Sequence, residues 1–378
     1  MIPSPKILLF QEYFSPGYLA GGMQTAAKHL LSQPNEWNIR IVTSNFDLNS
    51  PFCYPDICPN QWINRPFGLR FFPVWYAEKG IIRWHHYIHF YSFKPDRVYL
   101  QGIYGFFFFL MPLVWAKFVR IPVIICPHGM LDQGSLKQKF LKKYIYLFLF
   151  KLFCWHKNIR WQATSTHEER QIRRIFGENA NIFRTKFPVP LESIVLKKRF
   201  KKKGVLHLFY YGRISPKKNL HFILENLLHT DSGITLSIVG PVEDQQYWDK
   251  KCAPLLRILG DRINFHGPVA SLDDYLRLAQ GHFMILLSDA ENFSFAIFEC
   301  LSKGVPVITT QHTPWENLSR YHGGVMLSDQ SDVPGLFYEL SQMSHSAYRR
   351  YCQGALTCAR AYMEKSRIGL EDYNQLFS

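Results

Sequence analysis

No stretch of this sequence is apolar for long enough to cross a bilayer as a helix. The longest such run, Ile103 to Ala116, falls short of the roughly 20 residues a spanning helix needs and carries Pro112, so it reads as a buried helix. Ahead of Gln11 and Glu12 only Ile7 to Phe10 is apolar, too short for the core of a signal peptide. No two cysteines have the two-residue spacing typical of zinc sites: Cys53, Cys58, Cys126, Cys154, Cys252, Cys300, Cys352 and Cys358 are scattered and read as reduced thiols of a cytosolic protein. Neither half opens on G-x-G-x-x-G, which disfavours a dinucleotide oxidoreductase. There is no Asp-x-Asp and no grouping of His with carboxylates, so no metal is expected.

What is present is enough apolar residue for two cores, 47% of 378 residues, and a charge of one sign in one half. Residues 1–203 hold 29 Lys and Arg against 11 Asp and Glu, a balance of +18, while residues 204–378 hold 15 against 18, or −3. Such asymmetry points to a polyanionic surface met by the first half alone, nucleic acid or anionic lipid. No nucleic-acid-binding motif accompanies the charge, so lipid is the preferred reading.

Short β-branched runs alternate with longer helical stretches: 6–10, 38–44, 97–102, 121–127 and 160–165, then again 207–213, 234–240, 263–267, 283–289, 305–310 and 323–328. This rhythm is that of βαβ units around a parallel sheet, run through twice. The expected fold is α/β, with two doubly wound Rossmann-like domains, 1–200 and 201–378, facing a central cleft. Between them Leu196 to Gly204, LKKRFKKKG, reads as an exposed linker. The stretch from about Ser346 to Phe377 has helical spacing and predicts one or two closing helices that pack back toward the first domain.

Ligands of open parallel sheets bind beyond the carboxyl ends of the strands, so chemistry is sought in the loops there. After the strand at 207–211, Arg213 and Lys218 stand in a loop that feeds a helix beginning beyond Asn219; two cations beside a helix start suit a diphosphate. Alone, this loop is equally a solvated basic turn. Further on, Glu291, Asn292 and Phe293 form a turn after a strand, Ser294 is placed as N-cap of a helix through Phe295 and Glu299, and Gly304 ends it. The bland alternatives are an ion pair for Glu299 and an exposed turn residue for Glu291.

The pair Glu291 and Glu299 in ENFSFAIFE, with Gly212, Arg213 and Lys218 upstream, resembles the E-x7-E signature and phosphate-binding Arg and Lys of the family-4 retaining glycosyltransferases of GT-B fold. The resemblance implies that Arg213 and Lys218 neutralise the donor diphosphate, Glu299 binds the ribose, Glu291 touches the donor sugar, and backbone at Gly267, Pro268 and Val269 holds the base. Asn292, Phe293, Ser294 and Phe295 would line the donor's phosphate and sugar. Where relatives carry a second glycine after Phe, this chain has Ser294, which puts the amide contact there in doubt.

In the first half, Gly21-Gly22 before a helix permits close backbone approach and resembles the family's first glycine-rich loop, beside the donor phosphate and acceptor. PHGML around His128, followed by a Lys-rich segment and ATSTHEE, is similar to a subgroup that builds bacterial surface polysaccharides; by that likeness His128 contacts the donor sugar near the reacting carbon. A lone His is otherwise more often structural. The region Leu136 to Trp161 interleaves Lys137, Lys139, Lys142, Lys143, Lys151 and Lys157 with aromatic residues, suiting either a membrane headgroup boundary or a core helix with basic edges.

The implied function is retaining, metal-independent transfer of a sugar from a nucleotide diphosphate sugar to a saccharide acceptor, lipid-linked, in lipopolysaccharide, O-antigen or capsule synthesis. The location is then the cytoplasmic face of the inner membrane, with no cofactor. The competing readings are a nucleotide-sugar epimerase of the same fold and a non-catalytic basic membrane binder.

Overall fold

The computed structural model describes residues 4–34, 36–132, 136, 140–190, 199–269, 271–278, 281–328 and 331–378, the side chains of 277, 278 and 368 aside. The chain forms two units, Met1–Pro190 with Lys365–Ser378, and Leu191–Glu364. The division thus falls at Pro190 rather than near residue 200, and residues 365–378 belong to the first unit.

In the first unit the strands are β1 (Lys6–Phe10), β2 (Asn38–Ser44), β3 (Trp62–Phe67), β4 (Arg70–Ala77), β5 (Arg97–Gln101), β6 (Val123–Cys126), β7 (Ile159–Ala163) and β8 (Asn181–Arg184). They lie in the order β3-β4-β2-β1-β5-β6-β7-β8, every pairing parallel except β3 with β4. Ile7 to Phe10 of β1 are wholly buried, because a central parallel strand has both faces covered by helices. One face packs Leu8, Phe10, Trp75 and Leu100 against the segment 103–118. The other packs Ile7, Leu9 and Tyr99 against helix Gly22–Leu31 and against Tyr373, Leu376 and Phe377 of the returning segment.

The second unit holds β9 (Leu206–Tyr211), β10 (Ile234–Val239), β11 (Ile263–Gly267), β12 (Phe283–Leu286), β13 (Val307–Thr310) and β14 (Gly324–Leu327), in the order β11-β10-β9-β12-β13-β14 and all parallel. Sheet order reverses between β9 and β12 here, and between β1 and β5 in the first unit. At such switch points the loops leaving adjacent strands diverge and open a crevice for ligand.

Three expectations need correction. The basic run 196–204 is not simply an exposed linker. Its first three residues, Leu196, Lys197 and Lys198, lie outside the described residues. Lys201, however, is 1% exposed, and its ammonium donates to the carbonyls of Ser341 at 2.8 Å and Val205 at 3.1 Å. Burial draws its pKa down to about 8. Arg199 donates to the carbonyls of Lys303 and Gly304, where helix Phe295–Ser302 ends and partial negative charge favours a cation. Lysine and arginine enter the fold here because carbonyl oxygens receive them. Second, the helix expected over 136–161 spans Phe140–Leu152; left-handed Cys154 and Asn158 break it before β7. Lys137 and Lys139 lie outside the described residues. Third, the 103–116 segment is a π-helical turn, Phe106–Leu110, running without a break into helix Met111–Phe118, with Pro112 just past the junction. All eight cysteines are free thiols.

Candidate functional site

The switch point of the second unit gathers the charged residues singled out in the sequence. β9 ends at Tyr211, and the chain turns through Gly212 and Arg213 into a short 3-10 turn, Pro216–Lys218, before helix Leu220–Leu227. Beside it, β12 delivers Asp289 to Ser294. The two loops are joined directly: the Asp289 N–H donates to the Lys217 carbonyl at 3.0 Å, and the Asn219 amide donates to the Asp289 carboxylate. Asn219 adopts φ 51, a left-handed conformation that asparagine tolerates better than most residues.

Within this frame the Lys218 ammonium donates to the Glu291 carboxylate, the two side chains being only 16% and 10% exposed. Burial alone would raise the Glu291 pKa, but the Lys218 charge and hydrogen bond, with Ser288 behind them, hold it below the usual carboxylate value. Arg213 donates to Glu243 at 2.5 Å, and the two are about one-third exposed. Glu243 sits after β10, its N–H bonded to the Ile214 carbonyl at 3.0 Å. Burial drives the Tyr211 pKa up, and the Glu299 carboxylate that meets its hydroxyl adds to the rise. Arg213, Lys218, Glu291 and Glu299 therefore stand around the ends of two adjacent strands.

The remaining residues of the turn divide into backbone and anchor. Phe293 is 5% exposed and Phe295 7%, their rings 4.7 Å apart, with Phe293 also packed on Trp315 and Tyr362. The Trp315 indole N–H donates to the Phe293 carbonyl at 2.7 Å. The side chains of these two phenylalanines anchor the turn in the core. Ser294 occupies the N-cap position of helix Phe295–Ser302, but at φ 65, ψ 82 it makes no capping hydrogen bond, and its buried hydroxyl has no partner among the described residues. Capping by a side chain needs the extended backbone conformation, so the expected serine cap is absent. Gly267 ends edge strand β11, with Pro268 and Val269 after it, and its carbonyl accepts the Gly240 N–H at 2.8 Å.

In the first unit Gly21, at φ 73, precedes helix Gly22–Leu31, a backbone conformation that a side chain would strain. His128 follows β6 at φ 52. Its ring stacks on Phe187 with centroids 5.8 Å apart, and its Nε2–H donates to the side-chain oxygen of Gln101 at the end of β5. Burial pushes its pKa down to about 3, so the imidazole is neutral. A small cavity brings Ala26, Ala27 and Leu30 of the helix beside Gln101, His128 and Phe187.

Sequence reasoning missed Glu243, Tyr211, Trp315 and, in the first unit, Gln101 and Glu168. Glu243 carried a usable signal, since it follows the strand next to β9 and so must fall near Arg213.

Two Rossmann-like units of this kind make up the GT-B architecture. Residues 206–344, within the second unit, match the family model described as glycosyl transferases group 1. Among solved structures the chain is similar to sucrose-phosphate synthase from Thermosynechococcus elongatus, at 15% identity and TM-score 0.70, with 99% of each chain covered. Anabaena HepE in complex with UDP and glucose matches at 13% identity and TM-score 0.64, covering 96% of this chain and 100% of that one. WaaG, a glycosyltransferase involved in lipopolysaccharide biosynthesis, matches at 13% identity and TM-score 0.60 over 98% of both chains. No curated protein matches in sequence.

Proposed function

We propose that this protein is a retaining, metal-independent glycosyltransferase that moves a sugar from a nucleotide diphosphate sugar onto a lipid-linked saccharide acceptor in surface-polysaccharide synthesis. The observation that carries the reading is the buried pairing of Lys218 with Glu291 beside Arg213, with Glu299 on the neighbouring helix. Charge develops on the phosphate as the bond from sugar C1 to the leaving oxygen breaks. Fixed cations at that point lower the barrier, because they are already oriented when the charge appears. Arg213 and Lys218 hold the diphosphate, Glu299 receives the ribose hydroxyls, Glu291 the sugar hydroxyls, and backbone at Gly267 to Val269 the base. A neutral His128, its Nε2–H already given to Gln101, accepts a sugar hydroxyl at Nδ1 and has no proton-transfer role. The acceptor oxygen then attacks from the face the phosphate leaves, and the phosphate oxygen takes its proton.

Two of the similar structures support the donor and acceptor classes: HepE is solved with UDP and glucose, and WaaG is involved in lipopolysaccharide biosynthesis. The +18 balance of residues 1–203 favours an anionic membrane surface as the place where the acceptor is met, on the cytoplasmic face of the inner membrane. Thermal unfolding with a panel of UDP- and GDP-sugars tests the donor, since a ligand raises stability according to its affinity. Nucleoside diphosphate release with and without saccharide acceptor, in the presence of a chelator, tests the transfer. Protection by no nucleotide sugar overturns the reading; epimerised donor without released nucleoside diphosphate makes the protein an epimerase instead.

A further inference from the structure

Helix Phe140–Leu152 shows water a face that a helix at a globular surface does not ordinarily show. Leu141, Tyr144, Ile145, Phe148, Leu149 and Leu152 are 68%, 62%, 49%, 58%, 39% and 61% exposed. At 3.6 residues per turn these fall on one continuous arc, and Phe140 and Phe153, at 60% and 58%, extend it at both ends. The opposite face is fixed in the fold: Leu147 and Phe150 are buried, Phe150 against Phe109 and Phe176, and the Tyr146 hydroxyl donates to the Ile103 carbonyl at 2.8 Å. The helix is therefore held rigidly by one side with its other apolar side uncovered. A soluble surface seldom leaves so many large apolar side chains contiguous, and such patches mark contacts.

The charges on the helix choose the partner. Lys142 and Lys151, both exposed, flank the apolar arc on opposite sides, and no acidic residue occurs between Phe140 and Leu152. Lys143 lies against the Tyr104 ring, 5.2 Å from its centroid. A protein partner would be met by mixed charge; apolar residues rimmed by lysines alone complement acyl chains beneath anionic headgroups, the lysine stems lying along the apolar boundary while their heads reach phosphate. Among the described residues no helix is long and apolar enough to span a membrane, so this helix can only lie along one. It also follows closely on the loop that carries His128.

We infer that helix Phe140–Leu152 lies in the plane of an anionic bilayer with Leu141, Ile145, Phe148 and Leu152 inserted below the headgroups. This deepens the membrane part of the proposed function, replacing adsorption by charge with insertion of one named face. It makes no use of the donor site, so it can fail while the transferase reading stands.

The test is co-sedimentation of the full chain with vesicles of phosphatidylcholine alone and of phosphatidylcholine with phosphatidylglycerol, at low and at high salt. Insertion predicts binding to the anionic vesicles that survives in part at high salt, where adsorption by charge is screened. The variant Leu141→Ser/Ile145→Ser/Phe148→Ser loses that salt-resistant part, by about tenfold or more, while melting as the parent does because these side chains already face water. Lys142→Gln/Lys151→Gln loses only the preference for anionic vesicles. Absence of vesicle binding, binding abolished entirely by salt, or an unaffected serine variant overturns the inference. So does a dimer in sedimentation that the serine variant dissolves, which would give the face to a second copy of the chain. Nucleotide-sugar protection of the parent, measured separately, reports on the donor site whichever way the vesicles behave.

Discussion

The carboxylate of Glu168, in the first turn of helix Thr166–Phe176, accepts the backbone N–H of Gly129 at 2.7 Å, although Gly129 belongs to the separate loop after β6. Its other oxygen accepts the Thr164 N–H at 2.8 Å and the Thr164 hydroxyl at 2.7 Å, and the residue is wholly buried. Three donors therefore converge on one carboxylate, and through Gly129 they fix the left-handed turn on which His128 sits. Glu168 positions His128 without touching it.

Glu168→Gln should consequently weaken catalysis through His128. An amide cannot satisfy donors on both of its ends, and one facing donor pair should cost about 1 to 3 kcal/mol. The expected outcome is a lower melting temperature with kcat reduced more than KM is raised. In a double-mutant cycle the loss should not add to that of His128→Ala, since both changes remove the same oriented ring. Additive losses would detach Glu168 from the histidine.

Arg213→Ala and Lys218→Ala should each lower turnover by about 2 to 4 kcal/mol of lost transition-state stabilisation. The two differ in stability. Lys218 leaves behind a Glu291 carboxylate that is 10% exposed, whereas Arg213 releases a Glu243 open to water. Lys218→Ala should therefore melt markedly lower than Arg213→Ala, and Lys218→Ala/Glu291→Gln should recover stability without recovering activity. Melting curves and steady-state rates on these variants and the parent check this.

Ser294→Gly should stabilise the second unit by about 1 kcal/mol, because it removes a side chain from left-handed backbone and a buried hydroxyl that makes no hydrogen bond. Glycine's greater freedom in the unfolded chain offsets part of the gain. A melting temperature unchanged or lowered would show that the hydroxyl is satisfied in solution.

Stability should fall as pH drops from about 6.5 toward 4. His282 is 2% exposed; its Nδ1 accepts the His207 N–H at 2.9 Å, and burial takes its pKa from 6.5 down to about 4. His29 behaves alike, also reaching about 4. In this window the unfolded chain binds protons that the folded chain refuses, so unfolding gains as acid is added; above 6.5 both states are neutral and the term vanishes. Each unit of separation is worth about 1.4 kcal/mol. Chemical denaturation across this range should show the slope, and His282→Gln should flatten it.

The parallel strands were legible because short apolar runs such as Ile7 to Phe10 and Ile234 to Val239 recur between helical stretches, the rhythm of βαβ units. The β3–β4 hairpin was not. Its edge strand carries Pro66 and its partner strand Pro73, each a residue that argues against a strand, on either side of a tight turn at Gly68, φ 61. Strand β8, Asn181–Arg184, is short and polar at both ends. At the site, spacing located Arg213, Lys218, Glu291 and Glu299 because loop chemistry follows strand ends. It could not give their partners: Glu243 and Tyr211 are set by which strands lie side by side. Lys201 misled for the same reason, since the carbonyls that receive its charge belong to Val205 and to a helix far along the chain.

Segment 365–378 completes the core of the first unit, with Phe377 packed on Trp37 and Tyr99 and the Trp37 indole donating to Asn374 at 2.8 Å. During synthesis on the ribosome, residues 1–190 therefore emerge well before the aromatic side chains that close over their sheet. The whole of the second unit is translated in the interval. The first unit must wait with Trp37 and Tyr99 uncovered, a period in which chaperone binding would protect it and premature termination would leave it permanently open.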